Sequence, residues 1–528
     1  MNALKRLTMM ASLLTGILLT LSLSYGSQAA TAVSHHSAAP LQIVLNHLEQ
    51  NRAQYGLVAA DLSDYVLTDK YQSTDTGVTH LYLRQRINGI EVWTGNLSAH
   101  VLPDGSILAL HSAFVPHVDR ASYTGQPVLT AVEALNTAAQ ELRWPVTSDF
   151  AAEQQLGGAD QRQILSTGGV AVNPIPTKLV YVLDDHGALI LAWEAIVQPI
   201  HTSDWWHMAI DATTGQVLEQ YNWTVSHDER LSFMEQRGGG AEEQRGRVAR
   251  LTLEPSHSPL AGSYRVFPLP YESPTAPGAT HTLVSDPDDS TASPFGWHDT
   301  NGVIGAELTT TEGNNVHTYT DTNGDNNPDP GSSPDGGAGL LFDFAFDPSL
   351  PPPSGTNPQA AVVNLFYWTN VAHDILYRHG FTEASGNYQT NNYGNGGLGN
   401  DSLRAEAQDG SGTNGGNFTT PPDGAQPRMQ MFRWTLTTPH RDGAFDAGIV
   451  VHEYGHGWSN RLTGGPSNVS CLQNSEQMGE GWSDYLTIVA LPKSPTRARQ
   501  TAPSAPICWD NPRQARAFGP IPTPPTWP

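Results

Sequence analysis

Apolar residues recur at helical spacing in 41–48 and again in 130–142, and each stretch leads into runs where apolar and polar positions alternate. The alternation predicts strands at 79–87, 91–93, 96–102, 178–183, 189–197 and 205–210. Asn88-Gly89, Pro103-Asp104-Gly105 and the segment from Asp211 to Gly215 supply the turns. Residues 30–122 and 123–222 therefore read as two small α+β modules. Neither clusters catalytic groups, so both are expected to bind or cover something. Between 223 and 262 the pattern dissolves into Gln236-Arg237-Gly238-Gly239-Gly240 and a mixed-charge run, which predicts an exposed, protease-sensitive linker. A loop-rich domain follows over 263–492, because the 50 Gly and 39 Pro are concentrated after residue 260.

The N-terminus carries Lys5 and Arg6, an apolar stretch over 13–23 and small residues up to Ala29-Ala30. This is the pattern of a signal peptide over 1–29, with a membrane anchor as the alternative had the apolar run been longer. No later stretch approaches a spanning length, so the expectation is a secreted, extracellular monomer. The formal charge of -24 disfavours nucleic acid and anionic membranes as partners. Cys471 and Cys508 are the only cysteines, so a disulfide framework is not the stabilising strategy and the count disfavours a Cys-ligated metal.

The chemistry is concentrated in His452-Glu453-Tyr454-Gly455-His456, followed by Glu480 and Asp484. On a helix the two histidines share one face, so both imidazoles reach one ion with Glu453 beside them. A catalytic zinc takes three protein ligands and keeps an open position. His452, His456 and Glu480 fit as ligands and Glu453 as general base, with Asp484 orienting a ligand histidine through its second nitrogen. Asp442-Gly443 reads as a turn and Asp446 as the helix cap, ahead of an apolar face at Ile449, Val450 and Val451. Gly455 and Gly457 each weaken the helix by about 1 kcal/mol, which reads as room for close approach.

Longer motifs carry a resemblance. Residues 293–313, Asn364-Leu365-Phe366-Tyr367-Trp368, His373-Asp374-Ile375-Leu376-Tyr377, Asn391-Asn392-Tyr393-Gly394, 398–412, Pro421-Pro422-Asp423-Gly424, Arg428-Met429-Gln430-Met431 and 452–466 together resemble the fungalysin family of secreted zinc metallopeptidases. Residues 75–115 are similar to the propeptide those enzymes share with thermolysin-type peptidases. The resemblance implies an α+β, thermolysin-like zincin domain preceded by its own propeptide as intramolecular inhibitor. It also implies one zinc per chain on His452, His456 and Glu480, with Glu453 as the acid/base acting on protein or peptide substrates. Residues 414–418 would offer an edge strand to the substrate backbone.

Other features leave alternatives open. Asp321 to Asp329 alternates oxygen ligands as calcium loops do, but lacks the terminal bidentate Glu, so a plain Asx-rich turn is favoured over a calcium site. His373-Asp374 suits a metal or a satisfied core pair, and Tyr393 and Trp434 suit cleft or core. Beyond Glu480 the sequence departs from the family. Only 48 residues follow, none of them His, and 493–528 hold nine Pro with no Leu, Val or Met. This reads as an aberrant tail, from a frameshift or a natural Pro-rich end. It predicts an incomplete helical lobe that leaves Trp482, Leu486 and Ile488 exposed. The competing function is an inactive form or pseudoenzyme whose propeptide part acts only as a binding module. A zinc aminopeptidase shares the short motif but not the longer ones.

Overall fold

Helix α1, Pro40–Asn51, opens with proline in its first turn, where the missing N–H costs nothing, and buries Val44 and Leu48. Helix α2, Ala131–Glu141, begins at a reciprocal cap. The Thr130 hydroxyl accepts from the Glu133 amide, and the Glu133 carboxylate accepts from the Thr130 amide. In this computed structural model residues 39–118, 126–184, 186–228, 262–473 and 478–491 are described. The expected signal peptide, most of the expected linker (229–261) and the tail over 493–528 lie outside the described residues.

The N-terminal strands are β1 (Tyr65–Gln72), β2 (Thr79–Ile87), β3 (Ile90–Val101), β4 (Ile107–Ser112), β5 (Ala152–Gly157), β6 (Arg162–Leu165), β7 (Ile175–Leu183), β8 (Leu189–Val197), β9 (Trp206–Asp211) and β10 (Val217–Asn222). They form one sheet in the order β1-β2-β3-β7-β8-β9-β10, with β4 on β3 and the β5–β6 pair on β7. The expectation of two separate modules is corrected in one respect. β3 runs parallel to β7, pairing Glu91 with Val180 and Val92 with Tyr181, so a single sheet crosses both. Each half keeps its own core. α1 lies over Leu81, Leu83, Leu97 and Ala99, while α2 lies over Leu179, Leu191, Trp193 and Ile210.

The next strand overturns part of the linker expectation. Residues Thr224–Asp228 form β11, which leaves the first sheet and joins a second one. Its order is β11-β17-β18-β16-β14, with β14 (Val316–Thr320), β16 (Leu403–Thr413), β17 (Gly415–Thr419), β18 (Arg428–Trp434) and β19 (Arg441–Asp442) paired on β18. A small third sheet holds β12 (Ser263–Val266), β13 (Thr282–Ser285) and β15 (Leu341–Phe342). The residues missed as a strand, Thr-Val-Ser-His-Asp, are short and polar at alternate positions. Their partner is distant in sequence, so no local pattern announced the pairing.

Helix α3, Asn357–Arg378, runs through the core of this half and is buried along nearly its whole length. Helices α4, Ala447–Thr463, and α5, Gly479–Ala490, pack on one another beside the second sheet. Three side chains of the N-terminal half reach across to the last turn of α4 and the loop after it. Tyr82 Oη donates to Leu462 O at 3.0 Å, Ser467 Oγ donates to Asp69 at 2.8 Å, and Trp223 Nε1 donates to Ser470 Oγ at 3.0 Å.

Candidate metal centre

Asp446 begins α4, its carboxylate accepting from the amides of Gly448 and Ile449 at 2.9 and 3.3 Å. Helical spacing then sets His452 and His456 one turn apart, with ring centroids 4.9 Å from each other. The glycines of the motif admit neighbours. A Cβ on Gly455 would lie 2.9 Å from the Ser483 Cα, and one on Gly457 would meet Phe418 and the Tyr388 hydroxyl. α5 can therefore lie close against α4, and this carries Glu480 and Asp484 to the histidines.

The ligand atoms of His452, His456 and Glu480 lie within 4.8 Å of one another. Glu480 Oε2 is 3.0 Å from His452 Nε2 and 3.5 Å from His456 Nε2, and Asp484 Oδ1 is 3.0 Å from His452 Nδ1. His456 Nε2 is buried and makes no hydrogen bond among the described residues. Burial alone would push His452 down, but hydrogen bonds to Asp484 and Glu480, with the charges of Glu453 and Glu480, outweigh it and hold the ring up at about 10. Two imidazole nitrogens and a carboxylate oxygen converging in this way match the donor set zinc prefers.

Glu453 is fully buried. Its carboxylate lies against β17, where a Cβ on Gly416 would sit 2.9 Å from Glu453 Oε1. β17 is hydrogen-bonded to β18 on one side and to β11 on the other, with Thr224 opposite Thr419 and His227 opposite Gly416. The N-terminal half thus lays an antiparallel strand along the sheet edge beside Glu453. A cleft of about 320 Å³ remains between Thr224, Ser226, His456, Asn460 and Glu480.

The other candidates resolve differently. His373 is buried, bonded to Asp374 at 2.9 Å and to Asn387 at 3.3 Å, a satisfied core pair. Trp434 belongs to the core, and Tyr393 packs on Phe295 and donates to Asp299. At Asp321 the loop takes the form of the Asx-rich turn. Both Asp321 oxygens accept backbone amides of Asp325 and Asn326, and Asp329 Oδ2 accepts from Thr320 and Thr322, so the loop closes as Asx turns. Glu406 and Asp409 do lie near Asp321, but Arg404 and Arg428 face Glu406. Burial, with the Glu406 charge, pushes Asp409 up to about 8. On α5, Leu486 is buried against the core and Trp482 is half-buried while Ile488 stays 65% exposed, which corrects the expected exposure of the first two.

An α+β chain with two helical histidines, a carboxylate from a second helix and a buried Glu beside a sheet edge belongs to the H-E-x-x-H class of metal proteins. The family profile described as Fungalysin metallopeptidase (M36) matches residues 263–516, and the one described as Fungalysin/Thermolysin Propeptide Motif matches 63–114. The chain is 36% identical to the extracellular metalloproteinase mep of Aspergillus fumigatus over 455 residues, covering 84% of this chain and 64% of that protein. It is 36% identical to extracellular metalloproteinase 10 of Coccidioides posadasii, covering 86% and 65%. For extracellular metalloproteinase 1 of Phaeosphaeria nodorum the identity is 33%, covering 89% and 68%. The chain therefore spans about two thirds of the length of the curated relatives it matches. It belongs to the fungalysin family. A solved structure, the C-terminal domain of Bacillus megaterium YpeB, gives a TM-score of only 0.20 at 11% identity over 35% of this chain and 63% of that one, a likeness too slight to define a fold.

Proposed function

We propose that the chain is the precursor of a secreted zinc endopeptidase with a thermolysin-like catalytic domain, held inactive by its own N-terminal half. The observation that carries the reading is the meeting of the buried Glu453 carboxylate, the His452/His456/Glu480 triad and a sheet edge already paired to a strand. The relatives are named as extracellular, and among the described residues no helix is long and apolar enough to cross a membrane.

His452, His456 and Glu480 would hold the zinc, whose chemistry there would be Lewis-acid polarisation of a scissile carbonyl. Glu453 takes the proton of the attacking water and returns it to the leaving amine. Its burial keeps competing solvent away from the carboxylate. Asp484 holds His452 Nδ1, fixing the ring so that Nε2 faces the ligand position. The β17 backbone orients an extended substrate by adding it as a strand, the place β11 occupies in the precursor. The N-terminal half acts as inhibitor because its strand satisfies that edge first.

The test is hydrolysis of a protein substrate by the processed chain, alongside elemental zinc analysis. About one zinc per chain with casein cleavage supports the reading. Zinc without hydrolysis would favour a binding module, and a folded chain without zinc would refute the metal site.

A further inference from the structure

Behind the edge strand, the sheet face turned away from α4 carries a buried polar set instead of an apolar one. Arg428 on β18 is 1% exposed, and its Nε and Nη1 make no hydrogen bond among the described residues. Its Nη2 donates to Ser203 O of the N-terminal half at 2.8 Å. That same carbonyl accepts from Thr224 Oγ1 at 2.5 Å, and Thr224 Oγ1 lies 2.6 Å from Thr419 Oγ1. The guanidinium, the Thr419 hydroxyl and the first residue of β11 therefore meet around one carbonyl oxygen. Beside it, Asn326 Nδ2 donates to Thr202 O at 3.1 Å.

The arrangement is tied to the cleft by register. Thr224 stands three residues before His227, the residue opposite Gly416 and hence beside Glu453. At a rise of about 3.3 Å per residue this is roughly 10 Å along the cleft. When the N-terminal half departs, Arg428 loses its only hydrogen-bond acceptor among the described residues, and a buried cationic donor left unmet is costly. From behind, Glu406 and Asp409 face its charge. Glu406 is 3.9 Å from its Nε, while Arg404 shares that same carboxylate.

We propose that Arg428 and Thr419 form a specificity subsite that recognises a side-chain carboxylate on the substrate residue taking the place of Thr224. The proposal rests on the peptidase reading and names the substrate class for it: chains bearing Asp or Glu on the N-terminal side of the cleaved bond, at the position matched to Thr419. A guanidinium whose Nη1 is open and whose Nη2 is released with Ser203 binds a carboxylate through paired, charge-assisted bonds, which a hydroxyl or an amide at the same place does not reproduce.

The probe must enter once Ser203 has left, so the test is peptide binding to the processed chain carrying Glu453→Gln, which keeps the cleft and removes the base. Two extended peptides differ only in Asp or Asn at the residue matched to Thr419. Fluorescence anisotropy should show the Asp peptide bound about tenfold more tightly, the size of one charge-assisted hydrogen bond. The preference should vanish in Arg428→Gln and persist in Arg428→Lys, which retains the charge and separates recognition from packing. Equal affinities, or a preference that survives Arg428→Gln, would overturn the subsite. If Arg428→Gln fails to fold, the comparison in the native and Arg428→Lys backgrounds decides, and no preference in either overturns it. The measurement reads binding and not turnover, so a processed chain that hydrolyses nothing counts against the peptidase reading and leaves this result intact.

Discussion

Gly416 on β17 and Glu453 on α4 are fitted to one another: a Cβ at Gly416 would stand 2.9 Å from the Glu453 carboxylate oxygen and 3.2 Å from Gln430 O. The edge strand can lie on the carboxylate only because that side chain is absent. Gly416→Ala should leave zinc content unchanged and lower kcat/KM for casein by about tenfold or more, because a misplaced base loses the geometry on which proton transfer depends. Undiminished kcat/KM would show that the contact does not set the position of the base.

Replacement of the ligands and of the base should separate binding from chemistry. His452→Ala and His456→Ala should lose both zinc and hydrolysis, whereas Glu453→Gln should keep the metal and lose the hydrolysis. Asp484→Asn should weaken zinc affinity by about 10- to 100-fold, as loss of a histidine's supporting carboxylate commonly does. Competition with a chelator measures that affinity. An Asp484 variant with native affinity would remove the residue from the site.

Gly455 sets the gap between α4 and α5. An added Cβ meets the Ser483 backbone, which cannot rotate away, so Gly455→Ala should cost about 1–3 kcal/mol of stability from overpacking. The displaced α5 carries Glu480, so zinc affinity should fall with it. Thermal unfolding with and without added zinc checks both, and a variant that melts and binds zinc like the native chain would refute the coupling.

Acid should loosen the N-terminal half. His80 and His100 face one another through their Nδ1 atoms at 2.8 Å, and burial together with the neighbouring ring pulls His80 down to about 4. The unfolded chain takes up the proton near 6.5, before the folded one does. The contribution of the pair is therefore complete above pH 6.5 and lost as pH falls from 6.5 to 4. With allowance for partial exposure this is about 2 kcal/mol. Urea titrations at pH 7 and 4.5 should show a larger loss in the native chain than in His80→Gln, and equal losses would refute the assignment.

Maturation should cut beyond Asp228, because the backbone of Thr224–Asp228 is hydrogen-bonded to β17 and gives a protease no free strand. N-terminal sequencing of the secreted mature form should find a start between 229 and 263. A start before Thr224 would contradict the inhibitory strand.

The sequence by itself determined the features that depend on near neighbours. The spacing of His452 and His456 fixes a shared helix face, Asp446 caps that helix through amides two and three residues away, and Asn88-Gly89 turns a hairpin. Thr130 and Glu133 announce α2 for the same reason. Only the tertiary structure decided that Thr224–Asp228 is a strand, since its hydrogen bonds go to β17 nearly two hundred residues on and five residues carry too little local preference to reveal it. It also decided that two modules share one sheet, through two residue pairs between β3 and β7. At Asp321 it chose between readings the spacing left open, because whether alternating oxygens hold a cation or close a turn depends on Glu406, Arg404 and Arg428, brought there from two other strands. Burial of polar groups is a property of the whole fold, and no window of sequence contains it.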